Sequence, residues 1–184
     1  MELSKDARAT RKIIYQLWPT LGRPPSIDEL RHFCGNKFTE SIIEELMWAP
    51  IEGIQLSKCR KEIVTAWPFS AKNLGIQVHI LGFKPIFARC AVDALGISKM
   101  FNKPVDIIGT TENNGKLINL KIDKEEILKA DPSIFVAYRD CKDCDNIKFY
   151  SIEPDAADLD PNLKLIPLSK ALARGVLVFG DRLQ

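Results

Sequence analysis

Phe87-Ala-Arg-Cys-Ala-Val-Asp-Ala-Leu-Gly96 is the stretch on which the reading of this chain turns. It lies in a largely apolar run from Pro85 to Met100, which reads as the central helix of the second half and carries Cys90 and Asp93. A strand is expected before it, at Ile76 to Leu81. Two more are expected after it, Val105 to Ile108 and Lys116 to Ile122. Asn114-Gly115 between the last two is a hairpin signal, because both residues accept the positive φ of a tight turn. Further on, Asp123 reads as the start of a short helix. Ser133 to Tyr138 and Ile147 to Ile152 read as strands joined by a loop that holds Cys141 and Cys144. The tail from Leu168 to Leu183 has a helical pattern with breaks or kinks at Gly175 and Gly180. The expected class is α+β.

The first 70 residues have a different character. Asp6 to Trp18 reads as a helix with Ile13, Ile14, Leu17 and Trp18 on one face. Gly22-Arg-Pro-Pro25 ends it, and Ser26-Ile-Asp-Glu29 is a capping-box pattern opening a second helix. A third starts at Thr39, with Ile42, Ile43, Leu46 and Met47 at helical spacing. Ile54 to Trp67 then reads as two short strands around Ser57-Lys-Cys-Arg-Lys61. Three helices and a hairpin make a winged-helix-like layout. Pro68 to Gly75 reads as a linker, so the expected division is residues 1–70 and 71–184.

Bulk properties narrow the function. The 184 residues are 46 % hydrophobic, enough for a substantial core, and the net charge of +2 does not by itself imply nucleic acid or a membrane surface. No apolar run approaches the roughly 20 residues that span a bilayer. The charged start, Met1-Glu-Leu-Ser-Lys-Asp-Ala-Arg, lacks a signal-peptide core, so the expected location is the cytoplasm, with the five cysteines as reduced thiols. Residues 1–70 hold ten Lys and Arg against nine Asp and Glu, and the would-be recognition helix contains Glu40, Glu44 and Glu45. Phosphate repels such a helix, so the module is expected to be structural or a lid rather than a nucleic-acid reader.

The chemistry concentrates in two cysteines and one aspartate. Residues i and i+3 of a helix share a face, so Cys90 and Asp93 can enter one pocket. The structural alternative is a buried core thiol beside a salt bridge from Arg89 to Asp93. Cys141-Lys-Asp-Cys144 has CxxC spacing but precedes a strand, unlike a redox motif. As half of a zinc site it lacks a second pair, since Cys34 and Cys59 stand alone. His32 and His79 are the only histidines, so a Cys–His dyad requires convergence from afar.

Four segments together resemble the organomercurial (alkylmercury) lyase family. Ala66-Trp-Pro-Phe-Ser70 is similar to that family's linking segment, and Phe87 to Gly96 to its catalytic helix with Cys-x-x-Asp. Cys144-Asp-Asn-Ile-Lys-Phe-Tyr150 resembles the segment of the second cysteine, and Ala171 to Gly180 the C-terminal helix. The resemblance implies a winged-helix-like part packed on a mixed sheet and helix catalytic core. It also implies Cys90 and Cys144 as mercury-binding thiolates and Asp93 as the acid of carbon–mercury protonolysis. Cys141 is an extra thiol that can act as a further ligand or a product relay. No organic cofactor is implied. Hg(II) is the bound product, and small external thiols or a mercuric reductase are its acceptors. The expected assembly is a monomer or weak homodimer. Arg89 departs from the family pattern, which has an aromatic residue before the cysteine. Two other readings stay open: a non-catalytic Hg or Cu thiol-binding protein, and a metal-responsive DNA-binding regulator.

Overall fold

A computed structural model describes residues 2–49, 53–139, 146–152 and 163–183. Helix α1 (Lys5–Leu21) opens on Ser4, whose hydroxyl accepts the N–H of Ala7, and ends at Gly22 in the left-handed conformation. Helix α2 (Ile27–Cys34) carries the expected capping box: Ser26 Oγ accepts from Glu29 N–H, and the Glu29 carboxylate accepts from Ser26 N–H at 2.7 Å. After a 3₁₀ turn (Gly35–Lys37), helix α3 (Glu40–Trp48) starts on a Thr39 cap. Strands β1 (Ile54–Leu56) and β2 (Ile63–Ala66) pair antiparallel, as the hairpin reading requires.

The stretch read as a linker is instead part of the sheet. Phe69 and Ser70 form a short strand, β3 (Phe69–Ser70), bonded to β2 on one side and to β5 (Ile86–Ala88) on the other. Phe69 is fully buried and meets the rings of Tyr15, Trp18 and Phe101 at 5.6–6.2 Å. Burying such a ring is worth roughly 1.5–3 kcal/mol, more than two exposed linker residues would gain. Strand β4 (Ile76–Ile80) lies between β5 and β6 (Val105–Thr110), and β7 (Leu117–Asp123) follows. The short helix expected at Asp123 is absent. Lys124 takes a positive φ of 54°, which closes a tight turn into β8 (Glu126–Lys129). The result is one antiparallel sheet in the order β1-β2-β3-β5-β4-β6-β7-β8, running across residue 70.

A second sheet has three strands in the order β10-β9-β11, with β9 (Ile134–Arg139) between β10 (Lys148–Ser151) and β11 (Leu163–Pro167). Helix α4 (Ala91–Phe101) touches β4, β6 and β7 of the large sheet and packs along α5 (Leu168–Phe179), which in turn rests on β9 and β11. Almost every residue of α4 is buried, including Ser98, whose hydroxyl donates to Lys103 C=O at 2.7 Å and accepts Lys124 N–H. Gly175 does not break α5. It is where α5 meets α4: a Cβ on Gly96 would lie 2.6 Å from the Gly175 carbonyl, and one on Gly175 equally close to the Val92 carbonyl. Two bare backbones can approach this far and no side chain fits between them. Gly180 is at the end of α5, as the sequence suggests. No helix among the described residues is long and apolar enough to cross a membrane.

Candidate active site

Cys90 is not inside the central helix but is its N-cap. Ile86 to Ala88 pair as β5, the backbone of Cys90 is extended (φ −147°, ψ 176°), and the helix begins at Ala91. The side chain does the work of a serine cap: Sγ accepts the N–H of Asp93 at 3.4 Å. Both residues are buried, Cys90 completely and Asp93 to 3 % exposure. The sulfur therefore faces the positive end of the α4 dipole, where negative charge is favoured, and Asp93 occupies the first turn in the same field. The two expected site residues are brought together, by a cap rather than by one helical face.

The loop before β10 joins them. The N–H of Ala91, free of any helical partner at this end, donates to the carbonyl of Ile147 at 3.0 Å. The β6–β7 turn fixes the strand from its other side. Glu112 N–H donates to Phe149 C=O at 2.8 Å, while the Asn113 amide donates to Ser151 C=O at 2.8 Å and accepts Ser151 N–H at 3.1 Å. Asn113 was not singled out by sequence. Its only signal is its place in the turn predicted from Asn114-Gly115.

Arg89 lies before the helix, next to its N-cap Cys90. Its N–H donates to Pro68 C=O at 3.0 Å, and its guanidinium lies 4.1 Å from the centre of the Trp67 ring. The Trp67–Pro68 peptide is cis. The Trp67 carbonyl accepts from Arg182 at 3.4 Å, and the same guanidinium nitrogen reaches Tyr15 Oη at 3.0 Å. Trp67 is thus a second residue that sequence missed, because its role depends on a carbonyl and a ring face that no spacing rule exposes.

Cys141 and Cys144 lie outside the described residues. Of the other thiols, Cys34 is half-buried, and burial raises its pKa above the ordinary thiol value, while Cys59 is exposed. His79 hydrogen-bonds Gln77 at 2.9 Å and His32 stacks edge-on against Phe33, so neither adjoins Cys90 through these contacts. Among the described residues, no group of three or more His, Cys, Asp or Glu side chains could hold a metal.

Residues 69–157 match the family model for alkylmercury lyase, a segment that includes Cys90, Asp93 and Cys144. The fold is similar to the crystal structure of the mercury-bound form of MerB2, with a TM-score of 0.73 and 20 % identity, covering 100 % of this chain and 94 % of that one. No curated protein matches the sequence. Cys90 and Asp93 thus lie in a segment similar to alkylmercury lyase, within a fold similar along the whole chain to that of MerB2.

Proposed function

We propose that the protein cleaves the carbon–mercury bond of organomercurials by protonolysis, with Cys90 and Cys144 as thiolate ligands and Asp93 as the acid. One observation carries this reading: Cys90 Sγ and Asp93 are buried together at the amino end of α4, and Ile147, three residues after Cys144, is bonded to the same helix end.

The chemistry suits these groups. Thiolate sulfur is soft and prefers mercury to oxygen ligands. Cys90 displaces the weak ligand X of R–Hg–X, and the first thiol proton leaves with X. Cys144 adds as a second thiolate, raising electron density on mercury and on the carbon bonded to it. Asp93 receives the second thiol proton and delivers it to that carbon, so R–H departs and Hg(II) stays on two sulfurs. Burial keeps water from competing for the proton. Release of Hg(II) requires external thiols or a mercuric reductase, and no organic cofactor takes part. Cys141 is read as a further mercury ligand or a product relay.

Residues 1–70 are read as a winged-helix-like module and 71–184 as the catalytic part; three helices followed by the β1–β2 hairpin support the module, and the sheet that crosses residue 70 joins it to the catalytic part. The acidic start of α3 speaks for a structural role for that module in a cytoplasmic monomer or weak homodimer. The test is a headspace assay with phenylmercury, excess small thiol and purified protein. Benzene released over many turnovers, and lost in Cys90→Ser, is the expected result. Stoichiometric mercury binding without benzene would instead make this a thiol metal-binding protein.

A further inference from the structure

Arg182 follows helix α5 and is buried to 7 % exposure, far from water for a cation. Burying a guanidinium is costly unless its donors and its faces find partners. Its Nε donates to Val178 C=O at 3.1 Å, and its backbone N–H donates to Phe179 C=O at 3.1 Å. Its guanidinium carbon lies 4.6 Å from the centre of the Phe179 ring. These local contacts fix the side chain on the end of its own helix. From there Nη1 reaches across the fold, to Tyr15 Oη at 3.0 Å and to Trp67 C=O at 3.4 Å. Such charge-assisted bonds are stronger than those between neutral groups. Arg182 thus ties α5 to α1 and to the start of β3.

From Trp67 the path to Cys90 is short. The Trp67 ring supports the Arg89 guanidinium at 4.1 Å, and the next carbonyl, that of Pro68, accepts the Arg89 N–H at 3.0 Å. Residue 89 is therefore held by side chain and by backbone on one dipeptide. On the other side of Cys90, Ala91 N–H donates to Ile147 C=O at 3.0 Å. Cys90 sits between these two anchors, and its extended backbone aims Sγ at the N–H of Asp93. The first anchor stands on Trp67, whose carbonyl Arg182 holds.

We propose that Arg182 is a positioning residue for the site: by holding Trp67 it fixes residue 89, and so the direction of the Cys90 sulfur. Arg182 acts through Trp67 and Arg89 rather than on the reacting atoms. Its contribution is geometric, and a displacement of a reacting group by about 1 Å can cost on the order of 10²-fold in rate. The kinetic consequence rests on the lyase reading, whereas the placement of Cys90 does not.

The experiment compares the full chain with Arg182→Met, Trp67→Leu and the double variant. Leu30→Ala, which cuts a buried side chain of α2, is the reference for a purely structural loss. One readout is alkylation of Cys90 by iodoacetamide, followed by peptide mass mapping. Rates are compared at urea concentrations that give the variants equal unfolding free energy, so that global opening contributes equally. Arg182→Met should then be alkylated at Cys90 about 10–100-fold faster than Leu30→Ala. The other readout is hydrocarbon release from phenylmercury without urea. There Arg182→Met should lower kcat by about 10–100-fold and leave KM within about twofold. The losses in Arg182→Met and Trp67→Leu should not multiply, and the double variant should match the worse single one. Cys90 alkylation no faster than in Leu30→Ala overturns the proposal, because Arg182 then serves stability alone. Losses that multiply overturn the path through Trp67. If Arg182→Met does not fold, Trp67→Leu set against Leu30→Ala decides the same point. A wild type that releases no hydrocarbon removes the lyase reading, and the alkylation rates still decide whether Arg182 places Cys90.

Discussion

Cys90 and Asp93 show how a residue's job is set by where the chain turns. Serine at position 90 would still cap α4, because its hydroxyl accepts the Asp93 N–H as well as sulfur does. Cys90→Ser should therefore fold normally and lose turnover to background, read by hydrocarbon release beside an unchanged unfolding curve. A large loss of stability would show that the thiol is there for packing. Asp93→Asn keeps the size of the side chain but removes its proton. It should bind phenylmercury and slow hydrocarbon release by about 10²–10⁴. Release at the normal rate would assign the acid to another group. Cys141→Ser should keep most activity, and complete loss would put that thiol on the metal. The pairing of Cys90 with Asp93 was legible because they are three positions apart. Its form was not, since cysteine is a rare cap and the strand Ile86–Ala88 is too short and too apolar to tell from helix. Trp67 was beyond reach of sequence, because stacking against Arg89 depends on how β3 and β5 pair.

Among the elements, the capping box of α2 was read in full, since Ser26 and Glu29 are a local pattern that needs no tertiary information. It also has a titration signature. Arg23, bonded to Glu29 at 2.7 Å, and the Ser26 backbone hold the Glu29 carboxyl at about 2 instead of 4.5. A depressed folded-state value adds stability above the unfolded value and loses it as pH falls toward the folded one. The stability advantage of the wild type over Glu29→Gln should thus be constant above about pH 5, shrink between 4.5 and 2, and be absent below. Urea titrations at stepped pH would measure it, and an advantage that survives at pH 2 would exclude the carboxylate as its source. The α4–α5 contact went the other way. Gly175 has the propensity of a helix breaker, yet α5 runs through it because Gly96 faces it at backbone distance. Gly96→Ala should cost roughly 1–3 kcal/mol through overpacking against a carbonyl that cannot move aside. A neutral substitution in chemical denaturation would mean that the helices slide apart freely. The β8 strand was missed for a related reason. Asp-Lys-Glu-Glu is good helical sequence, and only the positive φ at Lys124 turns it into a hairpin.

At the scale of the whole molecule, the eight-stranded sheet joins the helical first third to the site, through the two residues Phe69 and Ser70. A linker would let the two parts unfold separately, whereas a shared sheet couples them. Unfolding followed by tryptophan emission and by reactivity of the Cys90 thiol should give one coincident transition. Phe69→Ala should lower its free energy by about 3–5 kcal/mol, because the ring fills a space shared by α1, α4 and the sheet. Two separated transitions would restore the boundary expected at residue 70. The helices and strands on either side of residue 70 were legible in the sequence, but not their union, which rests on two residues beside a proline.

The bond from Arg182 to Tyr15 spans 167 positions. On a ribosome the amino terminus emerges first, so α1 waits through nearly all of synthesis for that guanidinium, and α4 waits likewise for α5. Until α5 appears, the nascent chain leaves the apolar flank of α4 without the helix that covers it. Residues 168–179 must therefore have left the exit tunnel before the core around α4 can close. A stalled nascent chain halted at residue 165 should stay protease-sensitive, while one displayed in full beyond the exit tunnel should resist digestion.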